Sequence, residues 1–164
     1  MTGRDHPLRR AAAAGGGASH EADSAAIENA LRERIKELNC LYGIARLHQA
    51  FPESLDLFLE GVVNILPQSW QYPDVTCVRV TFRDKSHASR DFSTSPWRQS
   101  AKIVVRQEEC GEVEVYYVRE RPAADIGPFL KEEQALLNTV ADNIALNATR
   151  IEAENRLREV NRLL

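Results

Sequence analysis

The chain has 164 residues, which is the size of one domain with a sizeable core. Its apolar share of 43% lies slightly below the globular norm, its charged share of 27% is ordinary, and its net charge is −3. Lys and Arg are scattered among Asp and Glu, which excludes a basic footprint for nucleic acid, and no apolar run reaches membrane-spanning length.

Residues 1–24 are rich in Ala and Gly and read as a disordered tail. Arg9 and Arg10 lead into Ala and Gly, without the Leu-rich core of a secretory signal, so the expected location is cytoplasmic. Asp23 or Ser24 would cap a first helix, Ala25 to His48. Leu31, Ile35, Leu38, Tyr42 and Ala45 fall on one heptad seam, and Leu41, Ile44 and Leu47 on an adjoining stripe. Two stripes imply two contacts, one with a sheet and one with another helix or a second subunit.

A second helix, Glu53 to Leu66, begins after Pro52 and stops at Pro67. Ser69 to Asp74 is a loop bounded by prolines. The period then changes to two, predicting strands over Val75–Phe82, His87–Ser93, Trp97–Arg106 and Cys110–Glu120. In the last, Val113, Val115 and Tyr117 face one way, and Glu114 and Tyr116 the other. A long final helix is expected from Pro128 to Leu164, with Pro128 in its first turn. Leu137, Val140, Ile144 and Ile151 approach heptad spacing, and the shift to Leu157 breaks it like a stutter. Helices segregated onto one face of an antiparallel sheet make the expected class α+β, with the first and last helices side by side. The domain is expected over 25–151, followed by a coiled-coil-like output helix, 152–164.

Trp70 and Tyr72 enter the first strand and Trp97 opens the third, where aromatics line a small-molecule pocket or simply plug the core. In a pocket, Arg79, Arg98 and Gln99 would orient an anionic or polar ligand; otherwise they are solvated strand residues. Cys40, Cys77 and Cys110 lack the spacing of a zinc site and are expected as free thiols. Cys77 reads as a small hydrophobe, and Glu108 and Glu109 beside Cys110 argue against a nucleophilic thiolate. Cys40, next to the seam, could approach its symmetry mate in a dimer. His6, His20, His48 and His87 are dispersed, so no metal, cofactor or catalytic constellation is expected.

Several strings carry a family resemblance: Leu66-Pro67-Gln68-Ser69-Trp70-Gln71-Tyr72-Pro73, Thr76-Cys77-Val78-Arg79-Val80, Thr94-Ser95-Pro96-Trp97-Arg98-Gln99-Ser100-Ala101, Gly111-Glu112-Val113-Glu114-Val115-Tyr116-Tyr117 and Gly127-Pro128-Phe129-Leu130-Lys131-Glu132-Glu133. In this order they resemble the GAF-like sensory domains, in particular a compact subgroup found N-terminal to histidine kinases and phosphoenolpyruvate-synthase-like enzymes. The resemblance runs from about Ile35 to Ile151. It implies a non-catalytic signalling module of a two-component type, with a histidine kinase or phosphotransfer partner and an unknown small-molecule ligand. The chain lacks the Asn-Lys-X(n)-Phe-X3-Asp-Glu signature of cyclic-nucleotide-binding members and the Cys-His pair of bilin-binding members. Together with the helix seams, the reading is a homodimer that passes a helix shift outward. The alternatives are a ligand-free scaffold of the same fold and, in a different class, a thiol redox enzyme.

Overall fold

The computed structural model describes residues 16–164. The expected disorder of residues 1–15 therefore lies outside the described residues. The chain forms two compact units, Met1–Arg34 and Ile35–Leu164. The described part of the first is the opening stretch of helix α1, Gly16–Ala50. This corrects the expected boundary at Ser24, because residues 16–24 are helical. The stretch carries Ala18, Glu21 and Ala22 and no Pro, and extending an existing helix costs little compared with nucleating one.

The second unit is α+β. After α1 come helix α2 (Leu55–Ile65), strands β1 (Thr76–Phe82), β2 (Lys85–Ala88), β3 (Trp97–Val105) and β4 (Glu108–Tyr117), and helix α3 (Lys131–Leu163). The four strands make one sheet of order β2-β1-β4-β3, with every pairing antiparallel. The Ser54 hydroxyl accepts from Leu57 N–H and starts α2. Past Ile65 the chain turns on through two short 3₁₀ segments, Leu66–Ser69 and Pro73–Val75, where a plain loop was expected.

The period-2 alternation of β4 holds. Val113, Val115 and Tyr117 enter the core beside Val78, Val80 and Phe82 of β1 and Gln99, Ala101 and Ile103 of β3. Helices α2 and α3 cover this face with Phe58, Leu59 and Val62, and with Leu137, Val140, Ala141 and Ile144. Two glycines bring α1 close to α2. A Cβ on Gly61 would lie 2.4 Å from Leu47 Cδ2, and one on Gly43 would lie 3.0 Å from Ile65 Cδ1.

Several predicted boundaries move. Strand β2 is earlier and shorter than His87–Ser93, because the chain reverses at once over Arg83, whose φ is +54°. The β3–β4 hairpin closes on Arg106 and Gln107, both with positive φ, as a two-residue turn requires. Near it β4 carries a bulge, since Ile103 faces Gly111 while Val104 faces Glu109, leaving Cys110 extra. Helix α3 starts at Lys131, not Pro128. Gly127 (φ +56°) and Pro128 are instead the centre of a tight turn in which Ile126 and Phe129 exchange backbone hydrogen bonds of 2.9 Å. The first backbone donors of α3 are then capped by side chains: Glu133 accepts from Leu130 N–H at 2.8 Å and Asp125 from Lys131 N–H at 3.0 Å.

Candidate functional site

Of the six predicted pocket residues, the fold gathers four. Trp70 and Gln99 are bonded to each other, Tyr72 and Trp97 pack against the same core, and Trp97 stands opposite Tyr117 in the β3–β4 ladder. Trp70 is buried, and its indole N–H donates to Gln99 Oε1 at 3.0 Å. Tyr72 packs edge-on against Tyr117 with ring centroids 5.7 Å apart, and Tyr117 lies 4.5 Å from Phe129. The Arg121 guanidinium sits 5.2 Å over the Tyr72 ring. Burial pushes the Tyr117 hydroxyl far above its ordinary pKa, and the neighbouring Glu133 carboxylate adds to the effect. Glu133 is itself 1% exposed, and it also accepts from Gln71 N–H at 2.9 Å, joining α3 to the segment before β1. Two buried nitrogens here, Gln99 Nε2 and Arg121 Nε, have no hydrogen-bond partner.

Arg79 and Arg98 do not join this cluster, which corrects the expectation of a single site. Arg98 precedes Gln99 on a strand, so the two side chains leave opposite faces of the sheet. Arg79 pairs across the ladder with Glu114, and Arg98 with Tyr116. Both arginines converge on the Glu114 carboxylate, Arg79 Nε at 2.6 Å and Arg98 Nη2 at 3.0 Å, and the Tyr116 hydroxyl donates to it at 3.0 Å. Phe92 closes over this group, 5.6 Å from the Tyr116 ring and 5.0 Å from the Arg79 guanidinium. Burial raises the Glu114 pKa, but hydrogen bonds from Arg79, Tyr116 and Arg98 outweigh it and leave the carboxyl below its ordinary range.

The lowered pKa fixes the sign of a pH effect. The stabilisation is present above the unfolded carboxyl pKa and is lost as pH falls through the folded one. Glu114→Gln should lower stability at pH 7 by about 1–2 kcal/mol, a figure discounted because both arginines are more than a third exposed. It should also flatten the acid limb of the stability–pH curve, as measured by urea unfolding between pH 3 and 7. An unchanged acid limb would show that Glu114 gains nothing on folding.

The cysteines take separate places. Cys77 is buried on the Glu114 side of the sheet, its thiol 3.3 Å from Ser93 O. Cys110 lies 3.7 Å from Arg83 Nη1. Cys40 is 4% exposed and faces its own domain, where its thiol bonds Ser69. Burial lifts that thiol to about 11 and the Ser69 bond offsets it only in part, so the expected approach to a symmetry mate is corrected. Among the described residues, no group of His, Cys, Asp and Glu is placed to hold a metal, and no helix is long and apolar enough to cross a membrane.

Two open hollows mark the surface of the second unit. One, of about 380 Å³, runs between α1 and α2 above Cys40; the other, of about 410 Å³, lies beside Glu114. Neither is lined by Trp70 or Trp97.

Most of the exposed large apolar side chains among the described residues lie on helices. On α1, Cys40 and Ile44 are buried and Leu47 is half-buried, while Ile35, Leu38 and Tyr42 are 50–66% exposed. Ile27 and Leu31, earlier on α1, are 69% and 59% exposed. On α3, Leu137, Val140, Ile144 and Ile151 are spent in the core, so they do not form the pairing seam expected of them. Leu146, Leu157 and Val160 are more than half exposed. The apparent stutter at Leu157 is thus a change of face between a buried stripe and a solvent stripe.

No protein family, curated protein or solved structure matched the chain.

Proposed function

We propose that this chain is a GAF-like, non-catalytic regulatory module that dimerises through its terminal helices and passes a ligand or partner signal along them. The observation that carries the reading is the pair of apolar stripes that α1 and α3 turn away from the core. A protein rarely keeps such stripes in water unless they meet a partner. The direction of the helices adds to it. Cys40 sits by Ser69 and Glu133 by Gln71 at one end of the second unit, whereas Glu53, just past α1, takes a hydrogen bond from Asn155 at 3.0 Å at the other. The Ile35–Ala50 part of α1 and α3 therefore run the same way. A change at the sheet or its aromatic end would bias one of two packings of these helices by its differential affinity for them. A histidine kinase or phosphotransfer enzyme is the proposed recipient, in a reducing cytoplasm that suits three free cysteines.

The ligand-free scaffold draws on a different observation: Trp70, Tyr117 and Phe129 fill the end of the core where a pocket was expected. Native mass spectrometry of protein taken gently from cells separates the two readings. The sensor reading expects a dimer with a retained small molecule. A dimer that stays bare and keeps its unfolding temperature across a metabolite panel would leave the scaffold.

A further inference from the structure

We infer that the hollow between α1 and α2 binds a small carboxylate with a short apolar body. The site deepens the sensor reading by placing its ligand; it rests on that reading for its role but not for its geometry. It lies on the helical side of the second unit, whereas the Glu114 group occupies the opposite face of the sheet.

Three contacts fix the shape of the hollow. Leu47 lies against Gly61, Ile65 against Gly43, and the Ser69 hydroxyl bonds the Cys40 thiol. They step down α1 as they climb α2 and the 3₁₀ segment behind it, so the two walls run antiparallel. The second wall stops at Ser69, because Trp70 turns into the core to reach Gln99. Helix α1 continues past it through Asn39 and Lys36. The cleft left between the walls, about 380 Å³, falls within the size range of small-molecule sites.

The lining states what would fit. Lys36 is its one charged residue, and it includes no Asp or Glu among the described residues. An anion entering the hollow therefore meets a positive charge and no carboxylate from the walls. The exposed members are carboxamides: Asn39, Asn64 and Gln68. Asn64 has committed its Nδ2 to Glu60 O at 2.9 Å, whereas the side chains of Asn39 and Gln68 make no hydrogen bond to any other described residue. Each of these two can turn an amide NH₂ group to a carboxylate oxygen, and bonds to a charged acceptor are the stronger kind. The deeper members are different. Burial lifts the Cys40 thiol to about 11, so its sulfur stays neutral and does not repel an anion. Gly43 and Ile65 beside it present apolar surface to a short hydrocarbon body. A concave site with an apolar floor and a few convergent polar groups selects orientation as well as charge. Inorganic phosphate would satisfy Lys36 but leave Ile65 uncovered.

NMR titration of the 15N-labelled full chain tests the site, with sodium butyrate, sodium acetate and sodium phosphate matched in ionic strength by sodium chloride. Butyrate should shift the side-chain amide signals of Asn39 and Gln68 saturably. Acetate should bind several-fold more weakly, because it lacks the two methylenes that would lie on Ile65. Phosphate should leave both signals where chloride alone puts them. Lys36→Met should weaken butyrate binding roughly fivefold and leave the unfolding midpoint of the free chain unchanged. No saturable shift with butyrate at tens of millimolar overturns the site. An equal response to phosphate, or full affinity in Lys36→Met, overturns the ligand class. Sedimentation of the same samples keeps this inference apart from the dimer. A monomer that binds butyrate leaves the site and removes the dimeric module; a dimer without a saturable shift does the reverse.

Discussion

Gly111→Ala should cost about 3 kcal/mol of stability, the upper part of the range for forced overpacking. A Cβ there would lie 1.9 Å from Thr81 O, 2.8 Å from Thr81 C and 2.9 Å from Phe82 Cα. All three are backbone atoms of β1, the strand that carries Val78, Val80 and Phe82 into the core. A side-chain tip could rotate aside; a paired strand can only separate. Gly111 also follows the bulge at Cys110, so the β1–β4 and β3–β4 ladders both depend on its register. Gly43→Ala is the informative contrast. Its Cβ would press at 3.0 Å on the flexible tip of Ile65, and the gain in helix propensity of about 1 kcal/mol would offset much of the contact. Urea denaturation of the two variants should therefore differ widely in midpoint. Equal midpoints would mean that the β1–β4 approach is looser than described.

Glu133→Ala should be nearly as damaging, about 2–3 kcal/mol, for an electrostatic reason. This carboxylate is buried and accepts from the backbone N–H of Leu130 and of Gln71. Its loss leaves three donors, the Leu130 and Gln71 N–H groups and the Tyr117 hydroxyl, without their acceptor, and it removes a negative charge from the positive end of α3. Glu133→Gln keeps one acceptor oxygen and should recover part of the loss. Amide hydrogen exchange should show the effect concentrated at Gln71 and Leu130. A uniform loss of protection instead would contradict a local clamp.

These two residues mark how far the sequence could be read. Gly111 stands in a string whose alternation made β4 legible, because Val113, Val115 and Tyr117 share a face at period two. Its close approach to Thr81 was not legible, since it depends on a bulge in a paired strand. Glu133 looked like an ordinary acid in a first helical turn. Its bond to Gln71, 62 residues away, exists only after folding. The start of α3 was misread because Pro suits both a helix N1 position and a tight turn, and the turn at Gly127 prevailed. The mixed site of Trp70, Gln99, Arg79 and Arg98 failed on a rule visible in the sequence. Arg98 and Gln99 are adjacent on a strand and could not share a pocket. The two stripes of α1 were readable from spacing alone, but which one faced water required the structure.

The most direct test of the dimeric reading is sedimentation velocity of the wild-type chain beside Leu38→Glu/Leu157→Glu. Both leucines are more than half exposed, so the substitutions should leave the fold and its unfolding midpoint nearly unchanged. The account predicts a wild-type dimer, and a variant that sediments as a monomer at the same concentration, with affinity lowered at least ~100-fold by lost burial and charge in the seam. A wild-type monomer at tens of micromolar, or a variant that remains fully dimeric, would contradict it.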